Sequence, residues 1–192
     1  MEKRNHPITA PNVLSFMRIL LIPFFLGMIF RHKSMGTLIV FLLAGLTDVL
    51  DGFTARVWKQ KSKIGAYLDP AGDKLLMTSA FIVLSFPSLS RPNPIPFLLT
   101  LVVVGRDVLI VLSAFIIHNL TGKSSFPPSL LGKASTICQM GVLFLVLLFN
   151  YLQTSPIILN WVYGLALVLT LLSGMHYGLI GYRMITGSNK EI

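Results

Sequence analysis

The chain has 192 residues, of which 54% are apolar and only 12% charged, with a mean hydropathy of +0.75. A soluble domain carries about 25% charged residues, so that class is excluded, and the length suits one membrane domain with no separate soluble one. The net charge of +9 does not mark a nucleic-acid binder, because the bases stand at the ends of apolar runs and form no patch.

A spanning helix needs roughly 20 mostly apolar residues, and six segments meet that standard or nearly do. The first, 13–30, follows Lys3 and Arg4 and is interrupted by Arg18. It is long enough to span and lacks an Ala-x-Ala cleavage site, so it reads as a retained helix and not as a signal peptide. The second and third, 36–57 and 66–87, flank a short basic loop from Lys59 to Lys63. The fourth, 95–117, contains Arg106 and Asp107. The fifth, 130–152, opens near Lys133 and holds the single cysteine, Cys138, read as a small core residue. The sixth, 157–181, contains His176, expected to pack or to hydrogen-bond. Prolines are read as markers of helix boundaries. The predicted fold is an all-α integral membrane protein, six transmembrane helices in one domain over 1–192. Of the sixteen Lys and Arg, only Arg31, Lys33 and Arg91 fall on the side opposite the termini. The positive-inside rule then directs the termini to the cytoplasm, in a bacterial inner or plasma membrane.

The second and third segments carry the chemistry. Four of the five aspartates, Asp48, Asp51, Asp69 and Asp73, lie between positions 48 and 73. Each carboxylate inside a membrane costs about 2.5 kcal/mol or more, so a cluster of them implies a bound cation or a reaction. Asp48, Asp51, Gly52, Ala55 and Arg56 recur at helical spacing and share one stripe. Gly65, Asp69 and Asp73, spaced by four, form a second stripe, and the short loop makes the two helices antiparallel neighbours. Oxygen ligands without His or Cys suit Mg²⁺, Mn²⁺ or Ca²⁺. Two such ions would balance four aspartates, and paired ions are a usual device in phosphoryl transfer. The small residues would let a ligand approach the backbone, and Arg56 offers a planar fork for phosphate oxygens. Small residues at this spacing also serve plain helix packing, and Arg56 and Lys74 could pair two of the aspartates.

Two other classes compete. Intramembrane prenyltransferases also join aspartates, Mg²⁺ and pyrophosphate, but they need more helices than this length holds. A cation transporter would distribute its acidic residues along a path through the membrane, whereas these are gathered at one end.

The string Asp48-x2-Asp51-Gly52-x2-Ala55-Arg56-x8-Gly65-x3-Asp69-x3-Asp73 matches every fixed position of the signature of the CDP-alcohol phosphatidyltransferases, and the chain resembles that family. Pro11-Asn12-x2-Ser15-x2-Arg18 is similar to the family's opening motif, with Ser where Thr is usual. Leu68-Asp69-Pro70-x2-Asp73-Lys74 is similar to a second, with Gly72 for the usual Ala. Arg106-Asp107 and Gly132-Lys133-x2-Thr136-x2-Gln139 also have counterparts. The resemblance implies Mg²⁺ or Mn²⁺ held by Asp48, Asp51, Asp69 and Asp73, with Asp73 also the general base. It implies that Asn12, Gly52, Ala55, Arg56 and Gly65 line the CDP pocket, and that the protein is a homodimer in the lipid bilayer. The implied reaction transfers phosphatidyl from CDP-diacylglycerol to an acceptor hydroxyl with release of CMP.

Within the family, the chain resembles the branch of the phosphatidylglycerophosphate synthases and the eukaryotic-type cardiolipin synthases. Glycerol-3-phosphate brings a phosphate that wants extra cations, assigned here to Arg106, Lys133 and Arg18. Synthases using it place an Arg and a second Lys where this chain has Ala114 and Ser135, and cardiolipin synthases share the Arg-Asp pair. The commoner bacterial member, phosphatidylglycerophosphate synthase, is placed first. A cardiolipin synthase using phosphatidylglycerol is the alternative. A structural reading of Arg106 and Asp107 is a polar network that holds the fourth helix to the fifth.

Overall fold

The computed structural model describes residues 10–58, 65–121 and 129–185, and all of its regular structure there is helical. Six helices follow in order: α1 (Ala10–Phe30), α2 (Ser34–Trp58), α3 (Gly65–Leu84), α4 (Phe97–Thr121), α5 (Leu130–Leu152) and α6 (Ile158–Ile185). They match the six apolar runs. The loop from Lys59 to Lys63 lies outside the described residues. One expectation fails: prolines are not confined to boundaries, since Pro23 lies inside α1. Pro23 is exposed, and α1 continues through it although proline removes one helical hydrogen bond; α1 packs elsewhere against both α2 and α3.

The chain divides into two compact units. Unit 1 holds α1, α2, α3, the segment to Pro94 and the end of α5 from Leu147. Its core joins Phe25 and Phe41, whose rings are 6.4 Å apart, with Ala80, Phe81 and Leu84. Gly72 faces α1: a Cβ built on it would stand 3.5 Å from Ile19 Cγ1, an ordinary contact, so glycine here is not forced by lack of space. A knot of buried side chains closes the far end of the unit. Asn150 Oδ1 accepts from the Asn93 backbone N–H at 2.8 Å and from Asn93 Nδ2 at 3.0 Å, and Asn150 Nδ2 donates to Ser90 Oγ at 2.9 Å.

Two helices end in the same way. His32 and Gln153 both adopt φ of 54°. Lys33 N–H then reaches back to Met28 O at 3.0 Å, and Thr154 N–H to Phe149 O at 3.1 Å. These are Schellman turns, in which the left-handed position favours glycine. His32→Gly should therefore stabilise the protein by about 1 kcal/mol, read as a raised melting midpoint in detergent. An unchanged or lowered midpoint would mean that His32 makes compensating contacts.

Unit 2 holds α4, α5 to Val146 and α6. Polar groups lie inside it: Ser135 and Thr170 are 0% exposed and Gln139 1%. Gln139 Nε2 donates to Ser135 Oγ at 3.1 Å and to Thr170 Oγ1 at 3.0 Å, bridging α5 and α6. Large apolar side chains point outward, with Ile137 71% and Trp161 78% exposed. Polar inside and apolar outside reverses the pattern of a soluble protein and suits a surface that meets lipid. Among the described residues, Leu130–Leu152 and Ile158–Gly181 are long and apolar enough to cross a membrane. The protein is membrane-associated.

Candidate active site

The aspartate stripe falls wholly on helix. Asp48, Asp51, Gly52, Ala55 and Arg56 lie in the last turns of α2, and Gly65, Asp69 and Asp73 in the first turns of α3. Helical register keeps each set on one face, and α1 packs against both helices. Asn12 and Arg18 are residues of α1. The side chains of all these residues lie outside the described ones, so their placement is that of the backbone. As a donor set, carboxylates supplied in helical register by two helices, with no soft ligand among them, fit a hard divalent cation.

The better-defined polar cluster is in unit 2, built around Arg106 of α4, which is 7% exposed. Its Nη1 donates to Asp107 Oδ1 at 2.7 Å and its Nη2 to Ser173 Oγ of α6 at 2.8 Å. The guanidinium carbon stands 5.4 Å from the centre of the Tyr177 ring, a cation–π distance. The Arg106 stem passes Gly174 at an ordinary distance: its Cγ would lie 3.6 Å from a Cβ built there, so glycine is not forced by lack of space. Nε is buried and has no hydrogen-bond partner among the described residues. Arg106 therefore ties α4 to α6, and the structural alternative that joined α4 to α5 is corrected: the partner hydroxyl is on α6.

Tyr177 carries the cluster on to the start of α5. Its Oη accepts from the Ser129 backbone N–H at 3.3 Å, and Ser129 Oγ caps α5 by accepting from the Gly132 N–H at 2.9 Å. Gly132 has to be small, because an added Cβ would come within 2.7 Å of Tyr177 Oη. Lys133 follows, exposed, with no polar partner for its ammonium among the described residues. The structure thus links Arg106 to the Gly132-Lys133 turn through Tyr177. Sequence reasoning missed Ser129, Ser173 and Tyr177. The signals were present in a Ser standing just before an apolar run and in a Ser and Tyr four residues apart. His176, expected to pack or to hydrogen-bond, is exposed.

A family model described as CDP-alcohol phosphatidyltransferase matches residues 8–172. The chain belongs to that family. The match runs through the aspartate stripe, the Arg106 pair and the Gly132-Lys133 turn. Relatives carry two names. The chain is 32% identical over 180 residues to a CDP-diacylglycerol–glycerol-3-phosphate 3-phosphatidyltransferase of Aquifex aeolicus, covering 93% of this chain and 98% of that one. It is 42% identical over 117 residues to a cardiolipin synthase (CMP-forming) of Rattus norvegicus, covering 60% of this chain and 37% of that one. It is also 32% identical over 175 residues to a cardiolipin synthase (CMP-forming) of Streptomyces coelicolor, covering 84% and 72%. As a member of a phosphatidyltransferase family, this chain is an enzyme.

Proposed function

We propose that the protein transfers the phosphatidyl group of CDP-diacylglycerol to glycerol-3-phosphate and releases CMP. The observation that carries this reading is the complete Asp48-to-Asp73 pattern on the last turns of α2 and the first turns of α3, in a chain that aligns along nearly its whole length with a relative named for that reaction. We read the chain as one catalytic domain of six spanning helices, because the family match runs through both units. The distribution of Lys and Arg supports cytoplasmic termini and a cytoplasmic active site, and the family supports a homodimer.

Asp48, Asp51, Asp69 and Asp73 would hold Mg²⁺ or Mn²⁺, two ions by the count of carboxylates. Such ions supply positive charge to the pyrophosphate oxygens as negative charge builds on them. Asn12, Gly52, Ala55, Arg56 and Gly65 bind the CDP group, with Arg56 on phosphate oxygens. Asp73 takes the proton of the acceptor hydroxyl as its oxygen attacks the phosphorus that bears diacylglycerol. The bond from that phosphorus to the CMP oxygen breaks, and CMP leaves.

The acceptor's phosphate is assigned to Lys133, with Arg106 and Arg18 in support. Arg106 is already committed to Asp107 and Ser173, whereas Lys133 is exposed and has no polar partner for its ammonium among the described residues. A charge-assisted contact of this kind is worth about 1.5–3 kcal/mol. Lys133→Ala should raise the KM for glycerol-3-phosphate about ten- to a hundredfold and leave that for CDP-diacylglycerol nearly unchanged, and high salt should reproduce part of the effect. Equal rises in both KM values would remove Lys133 from the acceptor site.

One observation favours a second acceptor. Ser135, where a second Lys would stand, is 0% exposed and engaged with Gln139 and Thr170, so it supplies no charge and no space for one. Phosphatidylglycerol, a lipid already in the bilayer, would need less of both. Purified protein given CDP-diacylglycerol and Mg²⁺ or Mn²⁺, with each acceptor in turn, decides by the mass of the lipid product. Cardiolipin from phosphatidylglycerol, with glycerol-3-phosphate neither used nor competing, would replace the first reading by the second.

A further inference from the structure

The end of unit 1 remote from the aspartates holds a shallow, open cleft walled in part by His32, Lys33, Arg91 and Asn150. These residues come from the turn after α1, the segment after α3 and the last turn of α5. From Ser34, at the edge of the cleft, to Asp48 the helix rises about 21 Å, so the cleft and the aspartate stripe occupy opposite ends of α2.

Its charge is uncompensated. Residues 3–47, 74–106 and 108–190 contain no Asp or Glu, and the stretches that build the cleft lie within them. Lys33 and Arg91 are exposed. Arg91 uses its Nε on Pro87 O at 3.2 Å and keeps its terminal nitrogens for another partner. Lys33 has no polar side-chain partner among the described residues. The frame behind them is fixed, since Asn150 and Asn93 are 5% and 7% exposed and bonded to each other. Next in the chain to the lining residues Ile29 and Ser34, Phe30 and Met35 are each 58% exposed, and Phe86, between the lining Leu84 and Leu89, is 52% exposed. Cations that neighbour exposed apolar side chains in the chain, at one end of helices of 20 to 25 residues, match a molecule with an anionic head and hydrocarbon tails. A small soluble anion would have no use for these exposed apolar neighbours.

We propose that this cleft binds the phosphate of an anionic phospholipid at the bilayer face remote from the aspartates. Lys33 and Arg91 take the phosphate oxygens, and the tails lie along Phe30, Met35 and Phe86. The site is independent of the reaction and of its acceptor.

The test is native mass spectrometry of the full chain in neutral detergent, in EDTA so that metal-dependent lipid binding at the aspartates is suppressed. Phosphatidic acid and phosphatidylcholine with the same acyl chains are offered in competition, with and without inorganic phosphate. The wild-type protein should retain phosphatidic acid preferentially, and the Lys33→Ala/Arg91→Ala variant should bind it about thirtyfold more weakly, as expected for two cations at a charged interface. The Lys33→Arg/Arg91→Lys variant, which keeps both charges, should retain the preference, separating lost charge from lost fold. Undiminished preference in the alanine variant would overturn the site. Displacement of the lipid by inorganic phosphate at comparable concentration would overturn the lipid as its occupant and leave a free-phosphate site.

Discussion

Asp73→Asn should slow phosphatidyl transfer by about 10²- to 10⁴-fold, the usual contribution of a positioned general base, while changing the affinity for CDP-diacylglycerol much less. The amide keeps the shape and an oxygen but cannot accept the acceptor's proton. Asp73 stands one helical turn after Asp69 near the start of α3, and the assignment divides their labour. Asp69→Asn should lose activity through metal binding, so that more Mn²⁺ or Mg²⁺ restores part of it. No cation concentration should rescue Asp73→Asn to the same degree. Equal losses of nucleotide affinity and of rate in Asp73→Asn would make it chiefly a ligand, and full activity in excess EDTA would remove the metals altogether.

Arg106→Ala should destabilise the protein by about 3–5 kcal/mol, because it removes one partner of an inward-facing ion pair. The side chains of Arg106 and Asp107 are only 8% and 16% exposed, and the change also strips Ser173 and the Tyr177 ring of the guanidinium. Arg106→Lys keeps the charge but has no fork to serve Asp107 and Ser173 together, so an intermediate loss is expected. Arg106→Met with Asp107→Leu should regain most of the stability, since apolar replacement of a buried pair is often neutral or better. That double variant also separates two roles. If it melts like the wild type and still turns over with an unchanged acceptor KM, Arg106 only holds α4 to α6. If it is stable but its acceptor KM is raised, the guanidinium also serves the acceptor. A single alanine variant as stable as the wild type would contradict the buried pair itself.

Most of the helical framework was legible, because six apolar runs separated by charged or proline-bearing segments leave little choice of register. The ends were less so. α3 stops at Leu84, three residues before the expected limit of 87, where Ser85–Ser90 fold into turns ahead of Pro92. α4 continues to Thr121 past the expected 117, because polar residues such as His118 and Asn119 end an apolar run without ending a helix. The aspartate stripe was legible as a set of positions, since its spacing fits a helix and the helices are there. The Arg106 cluster was only half legible. Arg106 and Asp107 announce themselves as charges in an apolar run, but Tyr177 matters because it meets Ser129, 48 residues earlier, and no local pattern carries a pairing over that distance. Pro23 shows the same limit from the other side: its local meaning as a breaker does not stop α1, which runs on to Phe30.

The bridge from Gln139 to Ser135 and Thr170 also bears on how the chain enters the bilayer. While α5 is alone in hydrocarbon, the Gln139 amide has only its own helix to bond with, and the α6 hydroxyl that satisfies it has yet to be synthesised. Lateral release from the translocon would strand that amide, whereas release of α5 together with α6 would not. The two helices are therefore best delivered as a hairpin, and biogenesis of this region waits on α6 before it can commit α5.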